Sequence, residues 1–91
     1  MAQNLFLAID LGTSSVKAAV VDHHGVVLAS TVKDYPLIYT EDQGIEQDPH
    51  AWWRAIHEAV PAVLSHPRVD RKNIVAVANT AQWSGTICLG E

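Results

Sequence analysis

The residues best suited to chemistry fall in one short run, Asp10-Leu11-Gly12-Thr13-Ser14-Ser15-Val16-Lys17. Gly12 lets the backbone approach a ligand closely. Thr13, Ser14 and Ser15 set three hydroxyls beside consecutive backbone N–H groups, an arrangement that cradles phosphate oxygens. Asp10 is the kind of oxygen ligand that a hydrated Mg²⁺ takes, and Lys17 brings a cation to the same place. No Gly-Lys pair follows four residues after Gly12, so this is not a Walker A loop. It lacks the G-x-G-x-x-G spacing too, so no dinucleotide fold follows. Read alone, the run is equally a polar hairpin turn whose Asp and Ser side chains satisfy their own backbone.

Other reactive residues have plainer explanations. Glu46 and Asp48 could be an acid–base pair, but Asp48 before Pro49 is a helix start in its own right. Trp52 and Trp53 read as helix packing. His23-His24 lack further ligands at metal-binding spacing and read as solvated turn residues. His50, His57 and His66 are isolated. Cys88 lies in a short apolar piece and reads as a buried, inert thiol. Tyr35 and Tyr39 either line a cleft or pin their loop to the sheet.

The elements that position these residues follow from periodicity. Asn4–Ile9 is a near-continuous apolar run, the pattern of a strand buried on both faces. Val16–Val21 and Val26–Val32 are further strands, joined by a hairpin turn at Asp22-His23-His24-Gly25 in which Gly25 takes positive φ. The three strands are antiparallel neighbours. Residues 33–47 read as a long surface excursion. A helix of about four turns starts at Asp48-Pro49, with Trp52, Ile56, Ala59, Val60, Val63 and Leu64 on one face. Pro61 should kink it or end it early. Ile74–Ala78 is a fourth strand, which the crossover helix sets parallel to the first, and Thr86–Leu89 a short fifth extended piece. The implied strand order is 3-2-1-4, in an α/β sheet with one helix on one face.

Composition removes several classes of function. Six basic and ten acidic residues among 91 leave a formal charge of −4, without the basic footprint of a nucleic-acid binder. A hydrophobic content of 48% excludes disorder by composition. The N-terminal apolar run, Leu5–Ile9, is too short to span a membrane and lacks a basic n-region. A single cysteine allows no internal disulfide and fits a reducing compartment.

Three stretches in this order resemble the N-terminal end of the FGGY family of carbohydrate kinases: the Asp-Leu-Gly-Thr-Ser turn, Gly44-Ile45-Glu46-Gln47-Asp48-Pro49 with Trp52-Trp53, and Asn79-Thr80-Ala81-Gln82-Trp83-Ser84-Gly85-Thr86. The first is shared with the wider actin-like and sugar-kinase ATPases and is only moderately specific; the second is much more specific. The resemblance covers Leu5 to Leu89. It implies two lobes of ribonuclease-H-like (actin-like ATPase) fold, with ATP and a sugar or polyol in the cleft between them. Gly12, Thr13, Ser14, Ser15 and Lys17 would then bind ATP phosphates, Asp10 would hold Mg²⁺, and Gln82, Trp83 and Ser84 would bind the sugar.

Residues 1–91 would be an incomplete N-terminal lobe carrying no catalytic residue, since the family's catalytic base is an Asp far beyond residue 91. The chain alone should be inactive and marginally folded. A cytoplasmic enzyme without nucleic-acid or membrane partners is implied, with homo-oligomerisation of the full-length form left open. Glycerol kinases carry Arg-Glu, and xylulose kinases Met-His, where this chain has Trp83-Ser84; that argues against glycerol and leaves the sugar open. The rival readings are another actin-like ATPase and a non-catalytic remnant or interaction module.

Overall fold

A computed structural model describes residues 3–90. The elements are β1 (Leu5–Leu11), β2 (Ser15–Asp22), β3 (Val27–Asp34), β4 (Ile38–Tyr39), β5 (Ile45–Glu46), α1 (Pro49–Leu64), a 3₁₀ turn (Arg71–Asn73) and β6 (Ile74–Ala81). The main sheet has the order β3-β2-β1-β6, with β1 antiparallel to β2 and parallel to β6. This is the expected 3-2-1-4 order, and α1 is the expected crossover. At the β2–β3 hairpin Gly25 takes φ +83°, and the Asp22 carboxylate accepts from the His24 and Val26 N–H groups (2.8 and 3.0 Å).

The helix begins as its sequence requires. Asp48 accepts from the His50 N–H at 2.9 Å, and Pro49 holds the first helical position. The buried stripe is Ala51, Ala55, Ala59 and Val63, one residue per turn. Three alanines bring the helix backbone close to the sheet, where α1 lies over β2 and β3. The bulkier Trp52, Ile56, Val60 and Leu64 form a half-buried flanking row. Periodicity reading weights bulk, and so it missed Ala51 and Ala55.

Pro61 does not end the helix, which continues to Leu64. Proline's fixed φ is helical, but it loses the N–H bond to the His57 carbonyl and its ring crowds that carbonyl, together a cost of about 3 kcal/mol. Val63, 1% exposed, sits beyond it; full burial of such a side chain stabilises by about 1.5–3 kcal/mol, which offsets much of that loss. Ser65 closes the end, its N–H and hydroxyl both donating to the Pro61 carbonyl (3.0 and 2.8 Å).

Four further expectations are corrected. Strand β1 is buried on the helix side, at Leu5 and Leu7, but only half-buried at Phe6 and Ala8, because one helix covers one face. The expected long surface excursion, residues 33–47, holds the last residues of β3 and the β4–β5 ribbon, paired Ile38↔Glu46 and Tyr39↔Ile45. Thr86–Leu89 forms no strand, and Cys88 is exposed rather than buried. Pairing of β6 with β1 stops at Leu11↔Ala81, so the following segment has no ladder to join.

Candidate functional site

The β1–β2 turn is tightly braced. The Gly12 N–H donates to the Ser15 carbonyl at 2.9 Å. A Cβ on Gly12 would sit 3.0 Å from that oxygen, so a larger residue would push on the Ser15 carbonyl, and the close approach favours glycine within the turn itself. Gly12 is not among the positive-φ residues. Behind the turn, Tyr35 is 6% exposed. Its N–H donates to the Ser14 carbonyl (3.0 Å), and its one hydroxyl hydrogen is shared between the carbonyls of Gly12 and Ser15, the latter at 3.0 Å. Burial pushes the Tyr35 phenol pKa up, and the nearby Asp10 charge adds to this. Of the two earlier readings of Tyr35, the pinning one holds, whereas Tyr39 is exposed.

Thr13 and Ser14 are exposed at the tip, and Ser15 is half-buried. Asp10, half-buried, lies directly opposite exposed Lys17 in the β1–β2 ladder. Strand alternation puts both on the sheet face away from α1. The hydroxyls, one carboxylate and one ammonium are thus gathered at one end of the sheet.

A second cluster stands beside the first. The Gln82 N–H donates to the Leu11 carbonyl at 2.9 Å, which ties the segment after β6 to the residue just before the turn. The side chain of Gln82 meets that of Gln47, immediately before the α1 cap. The Gln82 Nε2 donates to Gln47 Oε1 at 3.0 Å, and Gln47 Nε2 donates to Gln82 Oε1 at 3.3 Å. The Trp52 indole N–H also donates to Gln47 Oε1, at 2.8 Å. These residues line an open cleft of about 590 Å³ together with Glu46, Ser84 and Thr86. Glu46 is its one charged lining residue among those described. Ser84 has a left-handed backbone, φ +52°, which few non-glycine residues adopt. Trp83 is 93% exposed and is not among the lining residues.

Sequence reasoning singled out Asp10, the turn, Lys17, Gln82, Trp83 and Ser84. It missed the bracing role of the Tyr35 hydroxyl and gave Gln47 no individual role. Tyr35 follows a strand whose register, Ser15↔Asp34, delivers it behind the turn, a signal that exists only once the register is known. Trp52 was read as packing alone, yet its polar edge faces Gln47.

Residues 5–91 match the N-terminal domain of the FGGY family of carbohydrate kinases. The chain is 36% identical over 85 residues to the xylulose kinase of Bacillus subtilis strain 168, covering 93% of this chain and 17% of that protein. It is 34% identical over 76 residues to the glycerol kinase of Beutenbergia cavernae, covering 84% and 15%. Among solved structures it superposes on the gluconate kinase of Lactobacillus acidophilus with a TM-score of 0.77 and 30% identity, covering 89% of this chain and 16% of that one. The ligand-bound xylulose kinase from the same organism gives 0.76 and 30%, over 87% and 16%. The chain therefore spans about one sixth of the length of the relatives it matches. The sheet and crossover helix are those of the actin-like fold of these sugar kinases.

Proposed function

The chain belongs to the FGGY family of carbohydrate kinases, and from that premise we propose that it forms the first part of the N-terminal lobe of an enzyme that transfers the ATP γ-phosphoryl group to a hydroxyl of a sugar or polyol. One observation carries this reading. The Gln82 N–H to Leu11 carbonyl bond sets the hydroxyl-rich turn beside the amide-lined cleft. Phosphoryl transfer needs that adjacency, because its catalysis is largely positioning and electrostatic stabilisation.

In this reading the exposed Thr13 and Ser14 hydroxyls, with Ser15, Gly12 and Lys17, contact the ATP phosphates. Tyr35 holds the turn carbonyls back, leaving the tip free for anions. Asp10, half-buried on β1 just before the turn, would be the carboxylate for a Mg²⁺ that keeps most of its waters, since such an ion is held by one or two carboxylates plus phosphate oxygens. When bound, it would neutralise charge on the phosphates. Gln82 and Ser84 offer hydrogen bonds to the sugar or polyol, and Trp83 offers an exposed aromatic face that a ligand or the second lobe would cover. The proton acceptor for the attacking hydroxyl belongs to the part of the family's architecture that this chain does not span.

The test uses the polypeptide that joins this segment to the second lobe, assayed with ATP against a panel of sugars and polyols. The expected result is substrate-dependent ADP formation that Asp10→Ala cuts at least 100-fold while the circular dichroism spectrum is unchanged. ATP hydrolysis indifferent to every sugar and polyol would instead support an actin-like ATPase of another type. Unchanged turnover in Asp10→Ala would refute the metal-holding role.

A further inference from the structure

The Trp52–Gln47–Gln82 chain has a directionality that the donor chemistry sets. An indole N–H can only donate. The Gln47 amide must therefore turn its oxygen toward Trp52 (2.8 Å), which removes the usual ambiguity between its oxygen and nitrogen. That same oxygen takes the Gln82 Nε2 hydrogen (3.0 Å), and Gln47 Nε2 returns a hydrogen bond to Gln82 Oε1 (3.3 Å). The orientation of Gln82 is thus inherited from Trp52, two side chains away. Each primary amide carries two N–H donors and two carbonyl lone pairs. Gln82 spends the facing donor and lone pair on Gln47 and keeps one of each, on opposite flanks of its amide.

We propose that Gln47 is a positioning residue, locked by the Trp52 indole, which fixes the Gln82 amide so that its remaining N–H and carbonyl lone pair are held ready for hydroxyls of a sugar or polyol. This rests on the kinase reading of the cleft. A hydroxyl both donates and accepts, so a hydroxyl can meet either free position of Gln82. A carboxylate only accepts, so it can meet the free N–H but not the free carbonyl lone pair, and Glu46 is the cleft's one charged lining residue among those described. The carbonyl side of this corner therefore selects a hydroxyl over an acid group. The lock acts before any ligand arrives, because all three side chains are half-buried and mutually bonded in the free protein. Such preorganisation lowers the ordering cost of binding.

The experiment uses the two-lobed polypeptide. Its kinetic arm compares wild type, Trp52→Phe and Gln47→Leu on the best substrate of the panel and on its monodeoxy analogues. We expect both variants to raise KM for that substrate about 3- to 10-fold, with KM for ATP unchanged. In wild type one deoxy analogue should lose about 10-fold or more in kcat/KM, and this gap should close in both variants. A site built to hydrogen-bond a hydroxyl discriminates against its loss only while its own polar groups are fixed. The second arm records the indole and side-chain amide NMR signals without ligand. The Trp52 indole N–H should exchange with solvent more slowly than that of Trp83, and the Gln82 amide signals should move in Trp52→Phe. Turnover with unchanged KM and an undiminished deoxy gap in both variants overturns the positioning role while leaving the kinase reading intact. Absence of phosphorylation on the whole panel refutes the kinase reading, and the proposed recognition of a hydroxyl falls with it. A Trp52 indole exchanging as fast as that of Trp83 overturns the lock directly.

Discussion

The Tyr35 hydroxyl braces two carbonyls of the β1–β2 turn from behind. Tyr35→Phe should cost about 1–3 kcal/mol, the usual range when buried acceptors lose their donor, read as a lower urea midpoint. The phenol pKa is raised in the folded protein, so the folded state holds that proton more tightly than the unfolded chain. The associated stability is fully present below the unfolded value near pH 10 and is lost as pH rises through the folded value. Tyr35→Phe should flatten this alkaline limb in a pH series of unfolding curves. Asp22 has the opposite sign. The Val26 N–H, then that of His24 and the charges of His24 and His23, hold its pKa below the usual carboxylate value. Its contribution is present above about pH 4 and is lost as pH falls through the lowered value. The stability gap between wild type and Asp22→Ala should narrow accordingly in acid; a pH-independent gap would count against the turn's dependence on the ionised carboxylate.

At the scale of elements, α1 offers two tests of opposite sign. Asp48→Ala removes the cap that holds the His50 N–H and should destabilise by about 1 kcal/mol. Pro61→Ala restores a helical N–H. It should stabilise by about 2 kcal/mol, the ~3 kcal/mol interior-proline penalty less the ~0.4–1 kcal/mol that proline gains by restricting the unfolded chain. Thermal or urea unfolding of both variants checks the pair. Elements were legible wherever a local signal existed. The first four strand runs, the Asp22–Gly25 hairpin and the Asp-Pro helix start appear at their expected places, whereas the extended piece expected at Thr86–Leu89 does not. The helix end and the short β4–β5 ribbon were not legible. Burial of Val63 decides the first, and pairing between Ile38-Tyr39 and Ile45-Glu46 decides the second; neither is a property of its own segment.

For the molecule as a whole, coverage of the sheet is the dominant fact. Helix α1 packs over β2 and β3, leaving Val75 and Val77 on edge strand β6 57% and 60% exposed. The opposite face carries a shallow trough of about 520 Å³ whose walls include Ala8, Ala19, Val27, Val32 and Ala78. An uncharged, proline-free edge strand and a bare apolar face both favour association. Residues 1–91 expressed alone should therefore sediment as concentration-dependent oligomers and melt broadly. A monodisperse monomer with a sharp cooperative transition would contradict this.

The residue types at the turn, the order of the strands and the start of the helix were all determined by sequence. Each depends on contacts within a few residues, on strand alternation, or on the handedness that governs crossovers. Tertiary structure alone decided which side chains meet. Tyr35 reaches the turn from about twenty residues away, and Gln47 reaches Gln82 across thirty-five positions, through strand register and the return of the chain over the sheet. Exposure of Trp83 and Cys88 was decided in the same way: an apolar residue is buried only where another element covers it, and no spacing along the chain records that cover.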